Sequence, residues 1–141
     1  AKEMRLLGYA GVYKQRNSGA KRDGCATFYR ADRFEKVHVQ AIEFDEVGTL
    51  PGQPAPDFQT HNVALLTLLR PIGEAGAQCA AVCVGNAHLF WDPSYEELKA
   101  AQARCLLERA AALAARLAPD APLLLAGDFN SVPDSEVHAR P

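Results

Sequence analysis

The sequence lacks several features that would assign a protein class at once. It has no apolar run of about twenty residues, so no membrane-spanning helix of ordinary length is predicted. It has neither G-x-G-x-x-G nor G-x-x-x-x-G-K-[ST], so a dinucleotide-binding fold or a P-loop fold is not indicated. No cationic start precedes an apolar core near residue 1, so we find no secretory signal and expect no membrane partner.

Cysteine is scarce, and its spacing does not suit a zinc site. Cys79 and Cys83 are four positions apart, with no second Cys/His pair at zinc-finger spacing. Cys25 and Cys83 lie in apolar, strand-like runs, and Cys105 lies on the apolar side of a predicted helix. Reduced cysteines of a protein core show this pattern. We therefore expect an intracellular compartment, either cytoplasm or nucleus, with an organelle left open.

Charge is unevenly distributed along the chain. The 141 residues have a net charge of −2, yet residues 1–40 contain nine Lys/Arg and four Asp/Glu, while the remainder contains six and thirteen. A basic first third could steer a phosphate polymer, and an acidic remainder could hold a metal ion. An unevenly charged, solvated surface would give the same counts.

Hydrophobic patterning predicts one α/β domain. Residues 94–97 form a capping box that starts a helix at Ser94 and continues it to about Leu117, with an apolar face of Leu98, Ala101, Cys105, Ala112 and Leu113. Strands are predicted at residues 9–14, 24–29, 34–44, 63–69, 80–89 and 123–129, and loops or turns at 15–22, 48–59 and 74–78. The last two strands flank the helix and should be parallel, and the others should be antiparallel. The expected architecture is a mixed, largely antiparallel sheet with helix cover.

The stretch from residue 123 to residue 135 has the strongest chemical pattern. Its apolar run predicts a strand buried on both faces, and Gly127 allows a bend or a close approach as the strand ends. Asp128 and Asn130 are two residues apart, so in extended geometry they point the same way. Two such oxygen donors suit a hard divalent cation and a phosphate. A capped turn in solvent would also favour Asp and Asn.

A second polar pair lies at the end of the preceding strand. Asn86 and His88 share one side of that strand, which should end at the same sheet edge as Asp128 and Asn130. A histidine there could hydrogen-bond a phosphate oxygen, or it could simply satisfy a neighbouring carbonyl. The nearby residues Trp91 and Pro93 suit either packing or the stacking of a base.

Three segments in this order carry a resemblance to a known family. They are KRDGCATFYR at residues 21–30, NAHLFWDPSY at 86–95 and GDFNSVPDS at 127–135. Together they resemble the endonuclease/exonuclease/phosphatase superfamily, and within it the deadenylase-type branch of carbon catabolite repressor nucleases, nocturnin and angel proteins. The segment from His61 to Ala64 is similar to a strand of the same family.

The resemblance implies a fold, a chemistry and a set of site residues. The fold would be a four-layer α/β sandwich, and the reaction would be phosphodiester hydrolysis dependent on Mg²⁺, with Mn²⁺ possible. The implied catalytic residues are Asp128, His88 and Asn130, and the implied metal ligands are Asp128 and Asn130. Substrate contacts would come from Asn130, His88, Pro93, Asn86 and Asn62, and Pro93 would pack near a bound adenine.

The chain also departs from the family pattern. The family's metal-binding glutamate and its late Asp/His pair have no match in residues 1–141, and His138 follows the GDFNS segment too closely to be that histidine. We therefore expect residues 1–141 to form a partial endonuclease/exonuclease/phosphatase domain, incomplete at both ends and inactive by itself.

The predicted function is that of a fragment of a 3′–5′ RNA exonuclease acting on poly(A), with poly(A) 3′ ends as the partner. Two alternatives stay open. One is a noncatalytic remnant that binds RNA or a partner protein. The other is a nocturnin-like phosphatase acting on a nucleotide cofactor.

Overall fold

The computed structural model describes residues 2–17, 23–46, 59–73 and 80–138, which form two helices and six strands. Two 3₁₀ turns lie at Phe44–Glu46 and Pro93–Tyr95. Most of the predicted loops at 15–22 and 48–59, the turn at 74–78 and Cys79 lie outside these residues. The elements are α1 (Lys2–Leu6), β1 (Tyr9–Gln15), β2 (Gly24–Arg30), β3 (Phe34–Glu43), β4 (Val63–Pro71), β5 (Val82–His88), α2 (Glu96–Leu117) and β6 (Leu123–Asp128).

The strands form two sheets. β1 and β2 are an antiparallel pair that runs from Tyr9 opposite Arg30 to Gln15 opposite Gly24. The second sheet has the order β3-β4-β5-β6, and within it only β5 and β6 are parallel. Helix α2 makes the crossover between these two strands. The predicted mixed sheet with a single strand–helix–strand unit is therefore confirmed.

The core lies on both faces of β4, whose first seven residues are buried. On one face Leu66 and Leu68 pack with Leu106 and other residues of α2. On the opposite face Val63 and Leu65 pack with Cys25 of β2, next to the half-buried Val12 of β1. The order of layers is thus helix, four-stranded sheet and two-stranded sheet, which confirms the predicted α/β class with sheets under helix cover.

A bulge in β3 changes which side chains face the core. The pairing of β3 with β4 shifts between Lys36 and His38. As a result Val37 packs on the α2 side of the sheet while Val39 packs on the side of β1 and β2. The same shift leaves Ala41 exposed and buries Ile42. The apolar pattern of this strand predicts one face made of Val37, Val39, either Ala41 or Ile42, and Phe44. The structure places Val37, Ile42 and Phe44 together on the α2 side, and Val39 alone lies on the other side.

Helix α2 ends at the predicted residue but starts differently. The side chain of Asp92, not of Ser94, acts as a cap, since it accepts a hydrogen bond from the Ser94 backbone N–H and closes a 3₁₀ turn before α2 begins at Glu96. The buried face of α2 also differs from the prediction, because Ala112 is exposed. Its buried residues are Lys99, Ala100, Gln102, Ala103, Cys105, Leu106, Ala110, Leu113 and Ala114. No helix in the described part of the chain is long and apolar enough to cross a membrane.

Strand β6 is not buried on both faces, which corrects the prediction from its apolar run. Leu123 and Leu124 are 40% and 57% exposed, respectively. The physical reason is that β6 lies at the edge of the sheet in this structure, paired on one side with β5.

The described cysteines fit the expectation of reduced core residues. Cys25, Cys83 and Cys105 are free and buried, and burial raises the pKa of each thiol. These thiols therefore behave as small apolar side chains.

An ion pair joins the two sheets and predicts a dependence of stability on pH. The hydrogen bond from Lys14 of β1 holds the pKa of Glu43 of β3 below its ordinary value, against the effect of burial. Because the folded-state pKa is depressed, this stabilisation is present above the unfolded pKa of about 4.3 and is lost as the pH falls through the folded pKa.

We therefore expect Glu43→Gln to lower the free energy of unfolding by up to about 1 kcal/mol between pH 5 and pH 7. The difference from the wild type should shrink below about pH 4.3. Urea titrations at several pH values would measure it. The control is Glu35→Gln, which removes the exposed ion pair of the same strand with Arg70. A deficit for Glu43→Gln that persisted unchanged to pH 3 would contradict the assignment.

Candidate active site

Strands β5 and β6 end side by side and bring the two sequence motifs together. His88, the last residue of β5, lies opposite Asp128, the last residue of β6. The parallel ladder continues one step further, since the Leu89 N–H donates to the Asp128 carbonyl at 2.9 Å. Gly127 is required for this approach: its φ is 144°, and a Cβ there would lie 1.9 Å from the Ala87 carbonyl oxygen.

The His88 imidazole lies between two carboxylates. Its Nε2 is 4.0 Å from Asp128 Oδ2, and its Nδ1 is 3.9 Å from Asp23 Oδ2. Both distances exceed that of a hydrogen bond. The His88 side chain is 33% exposed, so a ligand entering from the strand ends can reach the ring. This arrangement leaves an imidazole next to negative charge and open to a phosphate.

Asn130 is fixed against both strand ends. Its backbone adopts a left-handed conformation with φ of 47°, which asparagine tolerates better than most residues. Its N–H donates to Asp128 Oδ1 at 3.0 Å, and its Nδ2 donates to the Leu89 carbonyl at 3.0 Å. The first bond orients the Asp128 carboxylate. The second directs the Asn130 amide nitrogen inward, which leaves its Oδ1 for another partner.

Asp23 joins the site although no sequence pattern selected it. It immediately precedes β2 and carries no periodic signal, so its position in the segment at residues 21–30 was the one indication. Burial acts to raise the pKa of Asp23, but the hydrogen bond and the charge of Arg16 outweigh it and hold that pKa below the ordinary value. Asp23 therefore stays ionised beside His88 at neutral pH.

Arg16 is a buried cation that contacts Asp23 and the residues just before β4. It is 7% exposed, and its Nη1 is 3.2 Å from Asp23 Oδ2. Its Nε and Nη2 donate to the carbonyls of His61 and Thr60 at 3.1 and 2.8 Å. Arg16 thus connects the end of β1 to Asp23 and to the segment that enters β4.

Two predicted substrate contacts are engaged with backbone groups. Asn62 is 2% exposed, and its Nδ2 donates to the His88 carbonyl at 2.7 Å. Asn86 Nδ2 donates to the Ala26 carbonyl at 2.8 Å and so connects the two sheets. Both residues support the strand that carries His88. Direct contact with a substrate stays a prediction for each of them.

Aromatic side chains follow His88 in the chain. Phe90 is buried and packs against Trp91 and Tyr95, with ring centroids 6.1 and 5.5 Å apart. Trp91 is 64% exposed, and Pro93 is the exposed first residue of the 3₁₀ turn. These two exposed side chains leave apolar surface available to a base, and a role for either in binding stays a prediction.

The oxygen donors at the strand ends have the chemistry that a hard cation prefers. The Asp128 carboxylate is 64% exposed, and the backbone N–H of Asn130, two residues further on, donates to its Oδ1. The described residues do not supply a full ligand set, since no group of three or more His, Cys, Asp or Glu side chains within them could hold a metal ion. Asp128 and Asn130 therefore fit one side of a divalent cation site.

Comparisons with known proteins identify the family of this chain. The profile of the Endonuclease/Exonuclease/phosphatase family matches residues 2–141. "Carbon catabolite repressor protein 4 homolog 6" of Arabidopsis thaliana is 34% identical over 146 aligned positions, which cover 96% of this chain and 18% of that protein.

Solved structures show the same relationship. The human Nocturnin catalytic domain with bound sulfate anion superimposes with a TM-score of 0.76 at 26% identity, covering 97% of this chain and 48% of that one. ANGEL2, a 2′,3′-cyclic phosphatase, in complex with adenosine-2′,3′-vanadate, gives 0.75 at 32% identity, covering 97% and 37%. This chain thus spans less than half the length of each. It belongs to the endonuclease/exonuclease/phosphatase family, in the deadenylase-type branch that contains the carbon catabolite repressor, angel and nocturnin proteins.

Proposed function

We propose that this chain forms the phosphate-binding side of the active site in a metal-dependent phosphoester hydrolase. The observation that supports the proposal is the convergence of His88, Asp128 and Asn130 at the adjoining ends of two parallel strands. An imidazole, a carboxylate and an amide at one edge can bind a phosphate, orient water and offer oxygen ligands to a cation.

In this mechanism Asp128 orients the attacking water and accepts its proton. The Asn130 N–H already holds Oδ1, so Oδ2 is the oxygen that remains for the water. The exposure of the carboxylate lets that oxygen reach a substrate in the cleft. Water attacks phosphorus in line with the departing ribose oxygen, and that oxygen takes up a proton from solvent as its P–O bond breaks.

His88 and Asn130 hold the phosphate during this attack. A ring N–H of His88 donates to a non-bridging oxygen of the phosphate. Asn130 fixes the position of the phosphate relative to Asp128. A divalent cation bound by Asp128 and Asn130 would neutralise the negative charge that develops on the phosphate.

For the substrate, we propose poly(A) RNA, degraded from its 3′ end. The support is the membership of the deadenylase-type branch together with the exposed Trp91 and Pro93 beside His88. Such surfaces stack bases, and base stacking is worth about 1–3 kcal/mol per base.

A second candidate reaction is the opening of a 2′,3′-cyclic phosphate at the end of an RNA. The favouring observation is the 32% identity with ANGEL2, a 2′,3′-cyclic phosphatase, across 97% of this chain. The same three side chains would serve, because water again attacks phosphorus while a ribose oxygen leaves.

A substrate panel with the full-length protein tests these proposals. We expect Mg²⁺-dependent shortening of a 3′-hydroxyl poly(A) oligomer at least about tenfold faster than that of poly(U) or poly(C), because the larger adenine ring stacks more strongly than a pyrimidine. A chelator should stop the reaction. Gel analysis measures shortening, and chromatography measures opening of an adenylate oligomer ending in a cyclic phosphate.

The other outcomes discriminate between the alternatives. Equal rates on all homopolymers would contradict the adenine preference but would still support the proposed nuclease activity. Cyclic-phosphate opening without shortening would favour the second candidate, and phosphate release from a nucleotide cofactor alone would favour a phosphatase. RNA binding with no hydrolysis of any substrate would overturn the enzymatic proposal in favour of a noncatalytic binding protein.

A further inference from the structure

The least expected side chain under the candidate site is Lys99 of α2. It is 1% exposed, although lysine is almost never fully buried unless it is paired. Its Nζ donates to Glu96 Oε1 at 2.5 Å, one helical turn earlier, and to the backbone carbonyl of Asn130 at 3.0 Å. The buried ammonium therefore connects α2 to the segment that follows β6.

Burial of this charge is not explained by the stability of the helix. Lys99 lies on the face of α2 that packs against the sheet, where an apolar residue would avoid the cost of desolvation. The pairing with Glu96 is also incomplete, since Glu96 Oε2 is buried without a hydrogen-bond partner. What Lys99 provides, and an apolar residue would not, is the hydrogen bond to the Asn130 carbonyl.

We propose that Lys99 is a positioning residue for Asn130. The Asn130 backbone is left-handed, and three hydrogen bonds hold it in that conformation. Its N–H donates to Asp128 and its Nδ2 donates to the Leu89 carbonyl, while its own carbonyl accepts from Lys99. The first bond connects Asn130 to Asp128 at the end of β6, and the second connects it to Leu89, the residue after β5. The third anchors the opposite side of the same residue to the rigid helix.

This anchoring has a consequence for catalysis that rests on the proposed function. Without Lys99 the peptide group of Asn130 can rotate. The Asn130 side-chain amide and the Asp128 carboxylate, which the Asn130 N–H orients, then lose their placement relative to each other. Displacement of a catalytic group by about 1 Å can cost about a hundredfold in rate. Because the proposed role of Lys99 is to align groups for the attack, the loss should appear in kcat more than in KM.

The variant that tests this is Lys99→Met, which keeps the length of the side chain and removes the ammonium. In the full-length protein we expect kcat to fall about tenfold to a hundredfold, with KM changed by less than about threefold. Leu113→Ala is the matched control: it leaves a cavity beneath the same helix, but the apolar side chain that it shortens makes no hydrogen bond to Asn130. It should lower stability while kcat at a temperature well below unfolding stays within about twofold.

A double-mutant cycle separates positioning from general damage. Asn130→Ala removes the side-chain amide but keeps the backbone carbonyl that accepts from Lys99 and the backbone N–H that donates to Asp128. In that background Lys99→Met should therefore lower kcat by a smaller factor than in the wild type, because only the effect through Asp128 remains. Fully additive losses in the double variant would overturn the proposal that Lys99 positions the Asn130 side chain. Should Lys99→Met fail to fold, Lys99→Gln replaces it, because its shorter neutral amide also loses the bond to the Asn130 carbonyl.

A spectroscopic readout is independent of activity. In ¹⁵N spectra the backbone and side-chain amide resonances of Asn130 should shift in Lys99→Met and stay in place in Leu113→Ala. Unchanged Asn130 resonances in Lys99→Met would overturn the proposal. If the wild type hydrolysed no phosphoester, the proposed function would fail, and these resonances would still decide whether Lys99 holds Asn130.

Discussion

Replacing Asp128 with alanine should reduce Mg²⁺-dependent hydrolysis by the full-length protein at least about a hundredfold, the scale expected for one positioned catalytic group. The change removes the carboxylate that faces His88 across the strand ends. It also removes the acceptor of the Asn130 N–H, so two parts of the site are lost together. Steady-state kinetics on the best substrate of the panel measure the effect.

Asp128→Asn separates the charge from the hydrogen bond. Its amide oxygen can still accept from the Asn130 N–H, so the local geometry is kept while the negative charge disappears. We expect a loss of similar size, because the charge is what draws a proton and a cation. Asn130→Ala should lower the rate in the same direction through the placement of phosphate.

The control is Asp120→Ala, which removes an exposed carboxylate in the turn between α2 and β6 and should leave the rate unchanged. If Asp128→Ala and Asp128→Asn both retained turnover within a few-fold of the wild type, the catalytic assignment of Asp128 would be wrong.

The meeting of His88 and Asp128 could be predicted because it depends on local pattern and on one rule of chain topology. Each residue follows an apolar run, and a helix of 22 residues separates the two runs. A strand–helix–strand unit makes its strands parallel, so their carboxyl ends reach the same edge. The structure shows the register within that arrangement, with His88 opposite Asp128.

Asp23 and Arg16 could not be predicted in the same way. Arg16 contacts Thr60 and His61, more than forty positions away, and these contacts depend on how the two sheets pack. Neither residue belongs to a periodic sequence pattern that would distinguish it from a charged residue on the solvent-exposed surface. A single sequence contains no signal for a buried guanidinium whose partners are backbone carbonyls.

Helix α2 shows a related limit. The pattern of leucine and alanine predicted the helix and its end, yet it favoured Ala112 for the core and gave no role to Lys99. Patterning treats lysine as a surface residue, because that is its usual location. Lys99 is buried instead, because its ammonium donates a hydrogen bond to the backbone carbonyl of Asn130 in the loop after β6.

Gly127→Ala should damage the fold more than any other of the single substitutions proposed above. A Cβ at residue 127 would lie 1.9 Å from the Ala87 carbonyl oxygen and 2.9 Å from the Ala87 nitrogen, and all these atoms belong to paired strands. Neither backbone can move without breaking the ladder between β5 and β6. We expect a loss of about 3 kcal/mol or more in the free energy of unfolding, from strain and steric overlap together.

Gly73→Ala separates backbone strain from steric overlap. Gly73 has a φ of 87°, but a Cβ there would meet no atom within 4 Å, so only the conformational cost of about 1–3 kcal/mol should appear. Denaturant unfolding of both variants compares the two costs. A larger loss for Gly127→Ala, together with loss of hydrolysis, is expected because displacement of β6 moves Asp128 away from His88. Equal losses would show that β6 adapts to the added methyl group, and that the close approach of the strands does not set the geometry of the site.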